Sequence, residues 1–423
     1  MTPQDLTHAI EAVELCLDFT RPADVQLSAF FRNYPKLGGR ERGFIAETVY
    51  GVIRRLRSLE HLAVGDSGRT PTPRRLVLAW LARFGGYNLR ELEPLVGKHK
   101  AELDWLRGIK AVDLYALSDA QRLDLPDWLY ERLAAQYGDA LPGLMEALNA
   151  PAPLDLRVNP AKLGREEALA AMEQEGLAAE PTPWSPLGLR LKGKPALQKH
   201  PLFLDGSLEV QDEGSQLLGQ LLAPRRGEMV CDFCAGAGGK TLLLGAMMRS
   251  SGRLYAFDVS EKRLAKLKPR LARSGLSNVQ AQVIASERDT KVKRLAGKFD
   301  RVLVDAPCSG LGTLRRNPDL KWRQSPESVA ELIEKQQSIL DSASRLVKAG
   351  GRLVYATCSL LTEENEAIVE AFLAAHPEFH QVPAGEVLAA QRIELEMGDT
   401  LRLDPARHGT DGFFAAVLER NQP

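Results

Sequence analysis

The chain has 423 residues, enough for two or three domains, and its 55 Lys and Arg residues balance its 55 Asp and Glu residues, so net charge alone does not indicate a nucleic-acid partner. An apolar content of 44% and a charged content of 26% are typical of a soluble globular protein, and no apolar run approaches the ~20 residues that a membrane span needs. The N-terminus lacks the basic and apolar stretches of a signal peptide, and the five cysteines are few and scattered. We therefore expect a cytoplasmic protein without a membrane partner.

Residues 1–145 have the pattern of an all-helical domain. Apolar residues recur there at spacings of three and four, the period of an amphipathic helix, as at Ile45, Val49, Val52, Leu56 and Leu59. Residues 40–110 hold 14 Lys and Arg against 8 Asp and Glu, a local excess that suits phosphate binding, although such a cluster is more often a solvated face. The pattern predicts a helical bundle.

Two further domains are predicted after a Pro-rich linker at residues 149–153. Residues 150–205 have the pattern of a small α/β (RRM-like) domain, and residues 206–423 alternate strand with helix. Such alternation is typical of a Rossmann-like, doubly wound α/β sheet, for which we predict the strand order 3-2-1-4-5 and a late strand that closes the edge. The predicted strands span residues 229–233, 253–257, 279–284, 301–304, 352–356 and 413–418.

A glycine-rich loop at residues 231–241 joins the first of these strands to the next helix. Glycines let the backbone approach a ligand closely, and a helix N-terminus favours anionic groups. A P-loop of a nucleotide triphosphatase ends in the same Gly239-Lys240-Thr241 but requires a glycine where this chain has Cys234.

Cys231 and Cys234 also have the spacing of a redox pair, and the cysteines together suggest a zinc site. However, Cys231 falls inside the strand and no histidine or second close pair is near, so we predict no metal site.

Asp258 ends the second predicted strand, about 20 residues past the glycine loop. An acidic residue at that place accepts hydrogen bonds from the ribose hydroxyls of a nucleotide-type cofactor, although Asp258 also suits the N-cap of the next helix. S-adenosyl-L-methionine carries such a ribose and no phosphate, which suits a loop that lacks the full phosphate cradle. We therefore predict that Asp258 binds the ribose of this cofactor.

Two cysteines follow directly after predicted strands. Cys308 stands in Asp305-Ala306-Pro307-Cys308-Ser309-Gly310, and Cys358 stands in Thr357-Cys358-Ser359. The fourth and fifth strands are neighbours in the predicted order, and neighbouring strands lie ~4.8 Å apart, so both thiols are expected to face one pocket at the ligand-binding edge. This placement suggests nucleophilic chemistry rather than a disulfide.

A thiolate beside a methyl sulfonium suits methylation of an unreactive carbon. Carbon 5 of cytosine is a poor nucleophile, and addition of a thiolate at carbon 6 enables it to attack a methyl group. One thiol would add and the other would help release, while Asp305 in its protonated form is expected to donate a hydrogen bond to the N3 edge. An amino-group methyltransferase needs neither thiol. The remaining alternatives are a noncatalytic RNA-binding assembly factor that kept the fold and, less favoured, a P-loop NTPase.

These motifs resemble those of one family, the RNA cytosine-C5 methyltransferases of the Sun type. The matching motifs are residues 305–312, Thr357-Cys358-Ser359, Gly238-Gly239-Lys240-Thr241, Gln211-Asp212-Glu213-Gly214-Ser215 and Asp411-Gly412-Phe413-Phe414. Residues 315–322 resemble in particular the bacterial 16S rRNA methyltransferase B branch. The resemblance covers roughly residues 150–420, and residues 1–145 more weakly resemble the NusB-like RNA-binding domain of that branch.

The resemblance implies a methyltransferase sheet and a role for each matching position. Cys358 matches the attacking cysteine, Cys308 matches the cysteine linked to product release, and Lys240 and Asp305 match active-site positions. The implied cofactor is S-adenosyl-L-methionine, and the implied partner is RNA, with rRNA expected and tRNA left open, for a monomeric enzyme. The residues expected to bind the cofactor are Cys234, Ala235, Gly236, Ala237, Gly238, Gly239, Lys240, Asp258 and Asp305.

The chain departs from the family at residues 284–289, where the usual aspartate near the adenine is absent or displaced, so Glu287, Asp289 or neither takes its place. RNA contacts combine phosphate charge with base stacking, and the residues expected to make them are Arg315, Arg316, Lys321, Trp322 and Arg323. A second basic stretch is expected to be only a solvated face; it consists of Lys262, Arg263, Lys266, Arg270 and Arg273.

Overall fold

The computed structural model describes residues 1–65, 69–97, 100–193 and 195–422, which divide into two compact units. The first unit comprises Met1–Pro151 and Thr313–Pro326, and the second comprises Ala152–Gly312 and Glu327–Pro423. Within the described residues, no helix is both long and apolar enough to cross a lipid bilayer.

The first unit is helical, as predicted. The helices up to Lys100–Lys110 share one apolar core, in which Val49, Val52 and Leu59 have no exposed surface. Local sequence signals fix helix starts, since Thr2 and Asn88 each form a capping box with the acidic residue three positions later. The helices span Pro3–Cys16, Ala23–Asn33, Gly39–Arg54, Leu56–Val64, Pro73–Arg83, Leu89–Val96, Lys100–Lys110, Asp119–Arg122, Asp127–Tyr137 and Leu141–Leu148, with 3-10 turns at Leu114–Ala116 and Gly138–Ala140.

A segment from late in the chain, Thr313–Pro326, completes the helical unit and contains the short helix Leu320–Arg323. Trp322 anchors this segment, because its ring packs against the apolar core and its Nε1 donates a hydrogen bond to the Ile53 carbonyl at 2.8 Å. The predicted boundaries placed the segment in the domain at residues 206–423. The difference arises because its partners are far away in sequence and carry no local signal.

The second unit begins with a small antiparallel sheet. Its strands are β1 (Leu154–Val158), β2 (Ala179–Pro181), β3 (Gly188–Leu191) and β4 (Leu208–Val210), in the order β2-β3-β1-β4. The helix Arg165–Gln174 buries Ala168 and Met172 in the core of this sheet. Strands β2 and β4 have only three residues each, too few for a clear alternation, and β4 lies beyond the predicted boundary at residue 205.

The second unit also contains a larger sheet, which has eight strands in the described part of the chain. Its strands are β5 (Met229–Asp232), β6 (Arg253–Asp258), β7 (Val279–Val283), β8 (Phe299–Asp305), β9 (Val347–Thr357), β10 (Phe379–Val382), β11 (Thr400–Leu403) and β12 (Phe413–Arg420). Strands β5 to β9 are parallel, and their order β7-β6-β5-β8-β9 is the predicted 3-2-1-4-5. Strand β12 lies between β9 and β10, so the prediction that it closes the edge is wrong, and β10 lies there instead.

The two faces of this sheet bury separate apolar layers, because successive residues of a strand point to opposite faces. On β8, Val302 and Val304 lie in one layer and Leu303 lies in the other. The carboxyl ends of the parallel strands consequently share one edge, where ligands bind in such sheets. The remaining helices of the unit span Pro201–Leu204, Glu213–Leu222, Gly239–Met247, Glu261–Leu264, Leu267–Ser274, Thr290–Lys293, Pro326–Ser344, Glu366–Ala375, Ala384–Ala390 and Pro405–His408.

Candidate active site

A cleft of about 490 Å³ lies at the carboxyl ends of β5, β6, β8 and β9. Its volume falls within the ~300–1,000 Å³ that is typical of small-molecule sites. Both predicted catalytic cysteines, Cys308 and Cys358, line it. The predicted cofactor residues that line it are Cys234, Ala235, Gly236, Ala237, Gly239, Lys240, Asp258 and Asp305.

The glycine loop has a backbone shape that favours glycine at two positions. Gly236 and Gly238 have φ angles of +56° and +82°, in the left-handed region. A Cβ atom at Gly238 would also lie 2.2 Å from Leu267 Cδ1, so a side chain there would force the Leu267 side chain to move. The loop therefore presents bare backbone to the cleft, directly before the helix Gly239–Met247.

Asp258 ends β6 and is only 2% exposed. Its Oδ2 accepts a hydrogen bond from Gly236 N at 2.8 Å, and its Oδ1 accepts from Ser260 N at 2.7 Å and Arg263 Nη2 at 3.0 Å. A carboxylate has about four lone-pair sites, so three donors leave capacity for one hydroxyl of a ligand. Ser260 is the N-cap of the next helix, so the alternative that Asp258 serves only as that N-cap is wrong.

Asp232 is a site residue that the sequence patterns did not reveal. It is fully buried at the end of β5, where its Oδ2 accepts a hydrogen bond from Thr241 Oγ1 at 2.6 Å and its Oδ1 has no partner. Burial raises the pKa of Asp232 to about 7, against the hydrogen bond from Thr241 and with help from the charge of Asp305. An unpartnered buried acceptor on the cleft wall fits a ligand that carries a cationic or hydrogen-bond-donating group, as the methionine end of S-adenosyl-L-methionine does.

Lys240 and Asp305 form an ion pair inside the cleft, with 2.6 Å between Nζ and Oδ2. Burial acts to lower the pKa of Lys240, but the charge and hydrogen bond of Asp305 and the charges of Asp232 and Cys358 raise it above its usual value. The pair therefore consists of an ammonium donor and a carboxylate acceptor. Asp305 is thus the acceptor in this pair, and its hydrogen bond to the N3 edge of the base stays a prediction.

The Sγ atoms of Cys308 and Cys358 lie 3.3 Å apart, and Cys358 N lies 3.3 Å from Cys308 Sγ. This separation is a contact between free thiols, because a disulfide bond is about 2.05 Å long. The pKa of Cys308 is raised well above its usual value, first by the hydrogen bond to Cys358, then by burial and by the charges of Cys358 and Glu364. Cys308 is thus held as the thiol of the pair, while Cys358 interacts with the Lys240 ammonium.

The redox alternative for Cys231 and Cys234 loses its basis in the structure. Cys231 is fully buried within the apolar layer of β5, and burial raises its pKa well above the usual value for a thiol. A protonated core cysteine of this kind is unreactive. Among the described residues, no group of three or more His, Cys, Asp or Glu side chains has an arrangement that would hold a metal ion.

Arg157 on β1 is a second site residue that the sequence patterns missed. It is 2% exposed, and its Nη1 donates to the Gly239 carbonyl at 2.7 Å and to the side chain of Gln211. A buried cation on the small sheet therefore holds the backbone at the end of the glycine loop. In the sequence, Arg157 lies with Asp155 on the polar face of a short alternating strand, a pattern that by itself indicates no partner.

The basic stretch between residues 262 and 273 is also part of the site's support. Arg270 donates to the Ala237 carbonyl of the glycine loop at 2.7 Å and pairs with Glu209 at 2.9 Å. Arg273 pairs with the other oxygen of Glu209 at 2.7 Å. The prediction of a solvated face is therefore wrong for Arg270 and Arg273, because both bind the Glu209 carboxylate of the small sheet, whereas Arg263 is exposed and also pairs with Asp258.

Glu287 lines the cleft, whereas Asp289 does not. The Oε1 atom of Glu287 accepts a hydrogen bond from Ser338 Oγ at 2.7 Å, and this bond is the first cause that lowers the pKa of Glu287. Asp289 instead caps the helix Thr290–Lys293, where it accepts from Lys291 N at 2.9 Å. Of the possibilities left open by the sequence, the structure favours Glu287.

The residues predicted to contact RNA lie in Thr313–Pro326, within the helical unit. Lys321 is fully buried, and its Nζ donates to the Arg54 carbonyl at 2.9 Å and to Asn149 Oδ1 at 3.2 Å. It has no surface to offer a phosphate, so the prediction that Lys321 contacts RNA is wrong. Arg315 is 7% exposed and the other residues are half-buried; RNA contact stays a prediction for Arg315, Arg316, Trp322 and Arg323.

Known proteins resemble this chain over almost its whole length. Residues 219–419 match the family described as 16S rRNA methyltransferase RsmB/F, and residues 125–198 match the RsmF/B-like ferredoxin-like domain. A probable ribosomal RNA small subunit methyltransferase B from Synechocystis sp. is 34% identical, over 94% of this chain and 95% of that protein. The ribosomal RNA small subunit methyltransferase B of Vibrio cholerae is 33% identical, over 90% of each chain.

A solved structure also resembles this chain over almost its whole length. The crystal structure of PH0851 matches with a TM-score of 0.80 and 28% identity, over 99% of both chains. The glycine loop, the spare capacity of Asp258 and the unpartnered oxygen of Asp232 all fit S-adenosyl-L-methionine, which is the cofactor of this class. From its length-spanning similarity and this cleft together, the chain belongs to the RsmB/F family of 16S rRNA methyltransferases.

Proposed function

We propose that the chain methylates carbon 5 of a cytosine in small-subunit rRNA through a transient bond between Cys358 and carbon 6 of the base. The observation that carries this proposal is the 3.3 Å contact between the Sγ atoms of Cys308 and Cys358 at the cofactor cleft. An amino or hydroxyl acceptor has a lone pair and needs no thiol, whereas a ring carbon needs covalent activation. The rRNA substrate is supported by the names of the curated relatives.

Cys358 is better suited than Cys308 to make the attack. Cys358 and Lys240 attract each other electrostatically, whereas the pKa of Cys308 is raised by its contact with Cys358, by burial and by nearby charge, so we assign the attack to Cys358 and keep Cys308 as the protonated partner. Addition forms the bond between sulfur and carbon 6 and pushes an electron pair onto the ring. Lys240 is the charged donor available in the cleft to compensate that charge, and Asp305 keeps it in place.

When bound, S-adenosyl-L-methionine supplies an electrophilic methyl group on a sulfonium. The residues that would hold it are the backbone of the glycine loop, Asp258 toward the ribose, Glu287 toward the base and Asp232 toward the methionine end. Apart from Gly238, these residues line the same cleft as the two thiols, so a single ligand can reach both the loop and the cysteines.

Cys308 is placed to complete the reaction. Once the sulfur of Cys358 is bonded to carbon, Cys308 loses its hydrogen bond to that sulfur and the nearby thiolate charge, two of the influences that raise its pKa. It can then give its proton to water and later take the proton from carbon 5. The double bond between carbons 5 and 6 re-forms, the bond from sulfur to carbon 6 breaks, and Cys358 leaves as a thiolate.

The test measures transfer of a labelled methyl group into small-subunit rRNA from cells that lack this gene, with bisulfite sequencing to locate the product. Cys358→Ala should abolish both transfer and adduct. Cys308→Ala should trap an RNA–protein adduct that survives denaturing electrophoresis. Methyl transfer that persists without Cys358 would contradict the mechanism. Tight RNA binding without transfer into any RNA would favour the noncatalytic assembly factor.

A further inference from the structure

One buried carboxylate, that of Glu364, connects the two loops that carry the reactive cysteines. Glu364 has no exposed surface. It accepts hydrogen bonds from the backbone N and the Oγ of Ser309, at 2.8 and 2.5 Å, and from the Oγ of Ser359. Each of these serines directly follows a cysteine, so a shift of either serine displaces the neighbouring Sγ atom.

Gln336, on the helix Pro326–Ser344, ties a third element to the same carboxylate. Its Nε2 donates to Glu364 at 2.9 Å and to the Pro307 carbonyl at 3.0 Å. Pro307 directly precedes Cys308, so that loop is held on both sides of its cysteine. The four donors account for the burial of the carboxylate, because a buried charge is stable only when hydrogen bonds or a partner satisfy it.

We propose that Glu364 is a positioning residue for methyl transfer. It fixes both cysteine loops and places a negative charge on the Cys308 side of the thiol pair, whereas Lys240 places a positive charge on the Cys358 side. The inference rests on the covalent mechanism proposed above. Glu364 touches neither the cleft nor the reacting atoms, and it acts through Ser309 and Ser359.

The negative charge of Glu364 affects the two thiols, in addition to the hydrogen bonds that hold their loops. It is among the causes that raise the pKa of Cys308, after the hydrogen bond to Cys358, burial and the charge of Cys358. The other ionisable groups around the pair include Lys240, Asp305 and the third thiol, Cys234, in the cleft, Asp232 at the end of β5, and Tyr355 on β9, whose hydroxyl donates to the backbone carbonyl of Glu364 at 2.7 Å.

The test measures which thiol iodoacetamide alkylates in the free full-length enzyme between pH 6 and 9, with peptide mass mapping to assign the site. The wild-type protein should be alkylated first at Cys358. Glu364→Gln should reduce this preference by at least about tenfold, the equivalent of one pKa unit. Glu364→Asp keeps the charge but shortens the reach, so it should restore part of the preference.

The matched control is Glu370→Gln, the same change at an exposed position of the helix Glu366–Ala375, and it should keep the wild-type preference. In turnover assays Glu364→Gln should lower kcat and leave KM for S-adenosyl-L-methionine within twofold of the wild-type value. A folded Glu364→Gln protein with unchanged thiol preference would overturn the inference.

If Glu364→Gln does not fold, the double variant Ser309→Ala with Ser359→Ala carries the test, since it removes hydroxyl donors and leaves the carboxylate. The same loss of preference is expected, and its absence would equally overturn the inference. Alkylation needs neither RNA nor cofactor. A failure of the proposed methylation would therefore appear as absent methyl transfer while the alkylation result still decides the role of Glu364.

Discussion

Arg157 Nη1 donates a hydrogen bond to the Gly239 carbonyl at 2.7 Å, which joins the first strand of the small sheet to the end of the cofactor loop. The Arg157 side chain is 2% exposed, so the bond forms away from bulk water. Charged hydrogen bonds in such surroundings contribute roughly 1.5–3 kcal/mol. The small sheet thus does more than flank the catalytic sheet, because it fixes the backbone that must receive the cofactor.

We predict that Arg157→Met weakens binding of S-adenosyl-L-methionine by roughly tenfold, the equivalent of about 1.4 kcal/mol, as measured by titration calorimetry. Arg190→Met is the matched control, because Arg190 lies on the same sheet and pairs with Asp155 at 2.7 Å rather than with the glycine loop. If Arg157→Met and Arg190→Met weakened binding of the cofactor equally, the effect would come from the small sheet as a whole.

Glu287 and Asp289 offer a second comparison of two nearby carboxylates. Glu287 lines the cleft while Asp289 caps a helix outside it, so only Glu287→Gln should weaken cofactor binding, by roughly 3–10-fold because a neutral hydrogen bond replaces a charged one. Asp289→Asn should bind the cofactor as the wild type does and lose a little thermal stability. The reverse order of affinities would mean that the helix cap opens and Asp289 reaches the ligand.

Asp232 should make the stability of the protein fall with rising pH. Its pKa is about 7 in the folded protein against an ordinary value of 3.8, so the unfolded chain ionises first and the folded state loses relative stability from about pH 4 to pH 7. Between pH 5 and 8 the loss is roughly 2–3 kcal/mol from this group.

Asp232→Asn removes this titration while its side-chain oxygen can still accept the hydrogen bond from Thr241 Oγ1. The free energy of unfolding of the variant, measured by urea denaturation, should gain roughly 2–3 kcal/mol on that of the wild type between pH 5 and 8. Parallel curves for the two proteins over this range would show that Asp232 does not carry the proton.

Lys321 should behave as a packing residue of the helical unit. Burial lowers its pKa to about 7, and its Nζ satisfies the Arg54 carbonyl and Asn149. Lys321→Ala should therefore reduce the free energy of unfolding by roughly 2–4 kcal/mol, because it leaves buried acceptors unpaired. The slope of log affinity for RNA against log salt concentration should not change.

Arg316→Ala provides the contrast, since Arg316 is half-buried and stays a predicted phosphate contact. It should lower the magnitude of the salt slope by about one. A reduced salt slope for Lys321→Ala at wild-type stability would instead mean that the Lys321 ammonium reaches a phosphate.

The strand pattern was readable in the sequence because it is local. Apolar runs ending at Asp258, Asp305 and Thr357 indicated parallel strands. The residues at or just past the strand ends indicated the glycine loop, the aspartate expected to bind the ribose, and both thiols. The edge was harder, since β12 lies between β9 and β10 rather than outside them, and no local pattern distinguishes those positions.

The sequence by itself determined which residue types arrive at the binding edge, since hydrophobic periodicity and loop chemistry act over a few residues. Only the tertiary structure decided their partners. Lys240 pairs with Asp305, Glu364 binds the serines after both cysteines, and Arg157 binds the glycine loop at a sequence separation of 82 residues. A hydrogen bond to a distant backbone depends on the packing of whole elements, and that packing is a property of the folded chain rather than of any short segment.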